Sequence, residues 1–143
     1  MKPVTTILLI EDDKDMVEDV PPLMSQPQYG IEVDTILVTP EMDIGTLRNK
    51  IKAKPYDCLV LDIRMPPCVG MTNDETEGGR ITGVLLCRQI RKILPTTPIL
   101  VFTAVSDPDV QRAILHEGAN RILDKPAQPD QLAEKIRQIV RSG

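Results

Sequence analysis

Five short segments of the chain have the patterns of β-strands. Most of their positions are apolar without polar alternation, which is typical of strands covered on both faces in a parallel sheet. The second segment alternates in part, which predicts a less covered strand. The predicted strands are residues 5–10, 31–37, 58–61, 99–102 and 121–124.

Amphipathic helical patterns follow each predicted strand. Apolar residues recur three and four positions apart, and proline or glycine ends several of these stretches. Alternating strands and helices predict an α/β fold, a doubly wound five-stranded parallel sheet with helices on both faces. The apolar stripes are Met16, Val17 and Val20; Leu47 and Ile51; Leu86, Ile90 and Ile93; Val110, Ala113 and Ile114; and Leu132, Ile136, Ile139 and Val140.

Two stretches depart from this alternation. Pro21 and Pro22 follow the first helical pattern, and proline lacks the amide donor that a helix interior needs, so we expect the first helix to be broken there. Residues 66–82 have no apolar period and are much longer than the usual connection of about 2 to 6 residues. They predict an extended loop that is either an inert insertion or a functional segment.

Length and composition narrow the class of protein. The 143 residues fit a single domain spanning 1–143, and the net charge of −4 without a basic cluster argues against direct contact with nucleic acid. No stretch is long and apolar enough to cross a membrane, and the first residues do not resemble a signal peptide. The three cysteines lack the spacing of a disulfide framework or a zinc site, so we expect reduced thiols and a cytoplasmic location.

Polar side chains follow four of the five predicted strands. Taken singly, each has an ordinary explanation as a helix N-terminus, a turn or a solvated strand end. However, right-handed βαβ connections bring the carboxyl ends of parallel strands to one edge of the sheet. We therefore expect the following residues to gather at that edge: Glu11, Asp12, Asp62, Thr103 and Lys125.

This combination predicts phosphoryl chemistry. Three carboxylates at close range repel one another unless a hard cation neutralises them, and Mg²⁺ commonly joins one or two carboxylates to a phosphate. An aspartate carboxylate can itself be the nucleophile that forms an aspartyl phosphate. Lys125 and the Thr103 hydroxyl would then hold the phosphoryl oxygens, and the small side chain of Ala104 would leave room for the group to enter.

Four motifs in this order and spacing resemble the receiver domain of two-component response regulators. The motifs are IEDD at 10–13, LDIRMP at 61–66, FTA at 102–104 and DKP at 124–126. The resemblance covers nearly the whole chain and implies a flavodoxin-like receiver fold. It also implies a phosphoacceptor that receives a phosphoryl group, in a Mg²⁺-dependent reaction, from a sensor histidine kinase or a phosphotransfer protein. Such a domain passes a conformational signal to a downstream protein, can form a homodimer, and catalyses only its own phosphorylation and slow dephosphorylation.

The resemblance also implies a role for each site residue. Asp62 matches the phosphoacceptor, and Thr103 and Lys125 match the hydroxyl and the lysine beside it. Asp12 matches the direct metal ligand, with Glu11 acting largely through water. The metal set is completed by Asp62 and by the backbone carbonyl of Arg64, and the peptide bond between Lys125 and Pro126 is expected to be cis.

Three features depart from the family pattern. Ile122 stands three positions before the lysine, where the family usually has an aromatic switch residue. The loop at 66–82 is longer than in most receivers, and the first helical pattern contains Pro21-Pro22, which predicts a break in that helix. No output domain is expected after Ser142, so the chain is predicted to be either a stand-alone receiver or a piece of a longer protein.

Three other functions are compatible with parts of this pattern. A haloacid dehalogenase-type phosphatase also uses a strand-end aspartate, but it requires a second aspartate two residues on, where this chain has Arg64. A flavodoxin-like cofactor binder needs a glycine- or hydroxyl-rich phosphate loop after the first strand, where Glu11-Asp12-Asp13 would repel phosphate. A receiver-like interaction module that is independent of phosphorylation would keep the fold, and the intact acid cluster argues against it.

Overall fold

A computed structural model describes residues 4–142 and shows one five-stranded parallel sheet. The strand order is β2-β1-β3-β4-β5. The chain therefore runs from β1 to the edge strand β2, and then in the opposite direction through β3, β4 and β5. The predicted α/β fold is confirmed, and residues 1–3 and 143 of the predicted domain lie outside the described part. The strands are β1 (Thr5–Glu11), β2 (Ile31–Leu37), β3 (Cys58–Leu61), β4 (Ile99–Thr103) and β5 (Arg121–Asp124).

Between residues 4 and 142, six helices connect and follow these strands. One more helix is present than the sequence pattern predicted, because a single turn forms inside the long loop. Among residues 4–142 no helix is long and apolar enough to cross a membrane. The helices are α1 (Lys14–Met24), α2 (Ile44–Lys52), α3 (Asn73–Thr76), α4 (Thr82–Ile93), α5 (Pro108–His116) and α6 (Pro129–Ser142).

The helices cover both faces of the sheet because successive strand residues point to opposite sides. In β1, Ile7 and Leu9 pack in a cluster with α1 and α6, whereas Leu8 and Ile10 pack in a second cluster with α2, α4 and α5. All four residues of β3 are buried, as expected for a central parallel strand. The edge strand β2 is buried only at Ile31 and Ile36, and its other positions are partly buried or exposed, which agrees with the prediction of a less covered strand.

The register of the sheet fixes which strand ends are neighbours. Ile10 of β1 pairs with Leu61 of β3, so Glu11 and Asp62 leave adjacent strands at the same level. On the other side of β3, Leu61 pairs with Val101 of β4. The strand-end residues are therefore brought together by backbone pairing rather than by loop conformation.

The prediction of a broken first helix is wrong. Helix α1 runs from Lys14 to Met24 with Pro21 and Pro22 inside it. The two prolines lie in its last turns, where Ser25 closes the helix by donating from its backbone N–H to the Pro21 carbonyl at 3.0 Å. The apolar face ends in the fully buried Met24, and this packing offsets the lost backbone hydrogen bonds.

The loop at 66–82 contains more structure than its sequence predicted. Thr72 and Glu75 form a capping box that starts the one-turn helix α3, and Thr76 at its end is completely buried. The loop is also tied to the chain before α2, because the Val69 N–H donates to the Met42 carbonyl at 2.9 Å. These contacts are made by polar caps and isolated residues, which leave no periodic signal in the sequence.

Candidate functional site

A cavity of about 670 Å³ opens at the carboxyl edge of the sheet. The loops after β1, β3, β4 and β5 all contribute to its wall, as the topology requires. The structure brings together every residue that the sequence placed at this edge. The lining residues are Glu11, Asp12, Asp13, Asp62, Arg64, Arg80, Thr103, Ala104, Val105, Ser106, Asp107 and Lys125.

Asp62 directly follows β3 and is 8% exposed. One of its carboxylate oxygens, Oδ1, accepts a hydrogen bond from the backbone N–H of Ile63 at 2.6 Å. The other oxygen, Oδ2, accepts from the Lys125 ammonium at 2.9 Å. The carboxylate is thus held in one orientation at the cavity wall.

Glu11 ends β1 and is buried beside Asp62. Its Oε2 accepts a second hydrogen bond from Lys125, at 3.0 Å, while its Oε1 accepts from the backbone N–H groups of Asp12 and Asp13 at 3.1 and 3.2 Å. A single lysine therefore bridges the carboxylates of two adjacent strands.

Asp12 and Asp13 differ in what they contact. Asp13 is the N-cap of α1, and its side chain accepts from the Asp15 N–H at 2.9 Å. The exposed Asp12 lies with Glu11 and Asp62 in a group whose carboxylate oxygens all fall within 4.8 Å of one another. Asp13 is occupied by the helix, whereas Asp12 is available to a ligand.

Burial and neighbouring charges shift the pKa values of Glu11 and Lys125. Burial, and then the nearby charge of Asp62, raise the pKa of Glu11 from 4.5 to about 7, although Lys125 acts in the opposite direction. Burial by itself would lower the pKa of Lys125, but its hydrogen bonds and charge contacts with Asp62 and Glu11 outweigh this, so its pKa is raised. The lysine stays charged, and the site has room for more positive charge.

Lys125 and Thr103 are also linked through the backbone. The Lys125 N–H donates to the Thr103 carbonyl at 2.8 Å, and the Lys125 ammonium lies 5.4 Å from the centre of the Phe102 ring. The Thr103 side chain is completely buried at the end of β4, and its hydroxyl oxygen accepts from the Val105 N–H at 3.1 Å. The peptide bond between Lys125 and Pro126 is cis, as the resemblance implied.

Arg64 and Ile122 lie where the sequence placed them. Arg64 is exposed and lines the cavity two residues after Asp62. Ile122 is partly buried and packs against the core cluster of α2, α4 and α5. An aliphatic side chain thus occupies the position where the family pattern expects an aromatic ring.

Two residues near the site, Arg80 and Gly83, are not predicted by the sequence pattern. Arg80 lines the cavity and pairs with Asp107, which also lines it, at 3.4 Å. A β-carbon at Gly83 would lie 2.1 Å from the Asp62 carbonyl oxygen, so only glycine allows α4 to approach this closely. Arg80 is the only basic residue between 66 and 82, which was an available signal, whereas the role of Gly83 leaves no pattern in the sequence.

Comparison with known proteins agrees with the resemblance that the four sequence motifs indicate. The family model described as the response regulator receiver domain matches residues 78–137. The response regulator ArlR of Staphylococcus epidermidis strain RP62A is 29% identical over 138 residues, which cover 96% of this chain and 53% of that protein. The chain thus spans about half the length of the curated relatives it matches.

Solved structures share the fold. A two-component response regulator from Clostridium difficile is 26% identical, with a TM-score of 0.72 and coverage of 96% of each chain. A CheY-like receiver domain protein from Methanospirillum hungatei JF-1 has a TM-score of 0.75 at 20% identity, covering 97% of this chain and 95% of that one, and at this identity the likeness shows the fold alone. In sequence and in fold, the chain is thus similar to the receiver domains of response regulators.

Proposed function

We propose that this receiver domain accepts a phosphoryl group on Asp62 and changes conformation in response. The observation that carries the proposal is the position of Lys125, which donates to both Asp62 and Glu11 at 2.9 and 3.0 Å inside one cavity. A buried carboxylate held by a lysine, beside two more acids, is suited to carry a phosphoryl group whose charge exceeds its own.

The proposed reaction is a phosphoryl transfer. An Asp62 carboxylate oxygen attacks the phosphorus of a phosphohistidine on a sensor histidine kinase or a phosphotransfer protein. A new O–P bond forms while the N–P bond breaks, and the imidazole leaves with the bonding electron pair and takes up a proton from solvent. The product is an acyl phosphate on Asp62, and later attack of water on its phosphorus restores the carboxylate.

The acid cluster fits a Mg²⁺ ion. Glu11, Asp12 and Asp62 offer oxygen atoms within 4.8 Å of one another, and oxygen is the ligand type that Mg²⁺ prefers. The resemblance adds the backbone carbonyl of Arg64 as a further ligand. When bound, the cation would neutralise the carboxylates and the incoming phosphate. Burial, and after it the negative charge of Asp62, raise the pKa of Glu11, and a cation here would relieve that repulsion.

Thr103 and Lys125 are proposed to hold the phosphoryl oxygens. Lys125 is already at the Asp62 carboxylate, so its ammonium can move from that oxygen to a phosphoryl oxygen with little rearrangement. The Thr103 hydroxyl lies at the end of the neighbouring strand and is free to donate, because it accepts from Val105 in this structure. Preorganised donors of this kind stabilise the charge that develops during transfer.

The partners and output follow from the family and belong to the same proposal. Asp62 receives its phosphoryl group from a kinase or phosphotransfer protein in the cytoplasm, and the phosphorylated domain acts on a downstream protein or on a second copy of itself. The chain has no enzymatic activity on other substrates and does not itself contact nucleic acid.

Labelling with a small phosphodonor tests the proposal. The protein is incubated with acetyl phosphate, with and without Mg²⁺, and its intact mass is followed over time. We expect one acyl phosphate adduct, labile to alkali and to hydroxylamine, that forms only with Mg²⁺ and decays slowly. Rapid release of phosphate without an adduct would favour a phosphatase, and a protein that is inert under both conditions would favour an interaction module.

A further inference from the structure

Arg80 brings a positive charge from the long loop to the cavity that contains Asp62. It is the only basic residue between 66 and 82, and it lines the same cavity as Lys125. The acidic residues of the loop are exposed. Arg80 is therefore the loop's one basic side chain among several exposed acids.

The backbone around Arg80 is anchored to the chain that leaves Asp62. The Thr82 hydroxyl donates to the Met65 carbonyl at 2.6 Å, and the Gly83 N–H donates to the Ile63 carbonyl at 2.8 Å. On the other side of Arg80, the Gly79 carbonyl accepts from the Met65 N–H at 3.1 Å. The backbone on both sides of Arg80 is therefore fixed to the chain that leaves Asp62.

The guanidinium of Arg80 has one strong partner and one weak partner. Glu77 Oε1 accepts from Nη2 at 2.7 Å and from Nε at 3.0 Å. Asp107 Oδ2 lies 3.4 Å from Nη1, which is near the limit of a hydrogen bond. Because Asp107 also caps α5 through its Oδ1, which accepts from the Asp109 N–H, its position does not depend on Arg80.

We propose that Arg80 binds an oxygen of the phosphoryl group on Asp62, exchanging its weak contact with Asp107 for that oxygen. This inference rests on the proposed function. A phosphoryl group carries a charge of about −1.5 to −2, compared with −1 for the Asp107 carboxylate, so it is the stronger competitor for the free face of the guanidinium. Arginine is suited to this role because its planar donors match phosphate oxygens. Arg80 is thus a phosphoryl-binding residue supplied by the inserted loop.

Beryllofluoride, a non-covalent mimic of the phosphoryl group, provides the test. Its affinity is measured by calorimetry at saturating Mg²⁺ for the parent, Arg80→Ala, Asp107→Asn and Arg112→Ala. We expect Arg80→Ala to weaken binding about fivefold, as for a partly exposed charge-assisted contact. Asp107→Asn keeps a good N-cap but removes the competing charge, so we expect it to bind at least as tightly as the parent.

Arg112→Ala is the matched control. Arg112 is an exposed arginine paired with Asp109 three residues away, but it lies outside the cavity, so its loss should leave the affinity unchanged. Arg80→Lys keeps the charge without the planar donors and should fall between the parent and Arg80→Ala.

Weaker binding by Arg80→Ala, together with binding by Asp107→Asn that is at least as tight as that of the parent, would support the inference. If both variants weakened binding, the pair would act as a bridge across the cavity and the inference would be overturned. Unchanged affinity in Arg80→Ala, with normal binding by the parent, would overturn the inference alone. A parent protein that does not bind the mimic would overturn the proposed function together with it.

Discussion

At the scale of single residues, neighbouring acids take different roles because their surroundings differ. Asp12 and Asp13 are adjacent in sequence, yet Asp13 caps α1 while Asp12 joins the group formed with Glu11 and Asp62. The strand register decides this, because a shift of one residue would move Glu11 away from Lys125. The role of each acid is thus a property of its position at the strand end and not of its residue type.

Metal binding is predicted to depend on Asp12 more than on Asp13. Asp12→Ala removes a carboxylate from the proposed Mg²⁺ site and should weaken binding at least tenfold, whereas Asp13→Ala removes only a helix cap. Mg²⁺ isotherms of the two variants, measured by calorimetry because the chain has no tryptophan, give the comparison. Equal losses of affinity would contradict the assignment of the two acids.

The sequence predicted which residues meet at the site but not how the loop contributes. Glu11, Asp62, Thr103 and Lys125 could be placed together because parallel strands end at one edge, which is a rule of topology. Arg80 could not be placed in the same way, because the path of an irregular loop depends on individual hydrogen bonds that no periodic pattern records.

At the scale of elements, helix α1 shows why local rules can fail. Proline disfavours a helix interior because it lacks a donor and its ring meets the carbonyl one turn earlier, and on that ground the helix was predicted to break. The structure shows that burial of one face keeps the helix intact, with Pro22 on its exposed side. The helix therefore carries a local cost that its packing offsets.

Replacing Pro22 should stabilise the domain. Pro22→Ala restores a backbone donor in α1 without removing a buried group, and we expect the free energy of unfolding to rise by about 1 kcal/mol after the added flexibility of the unfolded chain is included. Pro108→Ala is the control, since proline at the start of α5 suits its position and its loss should not stabilise. Urea unfolding compares the two, and a less stable Pro22→Ala would show that the cost is absent.

Helix α4 is positioned by Gly83. A β-carbon there would lie 2.1 Å from the Asp62 carbonyl oxygen and 2.6 Å from the Ile63 Cα, both of which are backbone atoms that cannot rotate away. The start of α4 and the backbone of Asp62 and Ile63 are therefore in direct contact.

Gly83→Ala is predicted to lower the free energy of unfolding by about 1–3 kcal/mol and to weaken Mg²⁺ binding, because the clash displaces Asp62. Gly45→Ala in α2 is the control, since a β-carbon there would meet only a side-chain oxygen of Asp43 at 3.2 Å. Thermal unfolding and Mg²⁺ calorimetry supply both readouts. Similar behaviour of the two variants would mean that α4 moves without disturbing Asp62.

At the scale of the whole molecule, the strand and helix order was predictable because almost every element carries its own hydrophobic pattern. The regular elements bury apolar stripes, whereas the segment at 66–82 is held by a capping box and a few buried side chains. Apolar stripes repeat along the sequence of each element, whereas a capping box and isolated buried side chains leave no repeated pattern. This difference explains why the fold and the central site were predictable while the loop and Arg80 were not.

Binding of a phosphoryl mimic should be transmitted to α5 through Thr103. If the hydroxyl of Thr103 turns toward the phosphoryl group, its bond with the Val105 N–H changes, and we expect amide exchange between Val105 and His116 to change when beryllofluoride binds. Thr103→Val, which keeps the shape but lacks the hydroxyl, should lose this response. An unchanged segment in the parent protein would contradict the route.

The identity of the phosphorylated residue tests the central claim most directly. After reaction with acetyl phosphate and Mg²⁺, the acyl phosphate is trapped by borohydride reduction and mapped by mass spectrometry in the parent and in Asp62→Asn. We predict a single modified residue, Asp62, and no labelling of the variant. Equal labelling of Asp62→Asn, or an adduct on another side chain of the parent, would contradict the assignment of Asp62 as the phosphoacceptor.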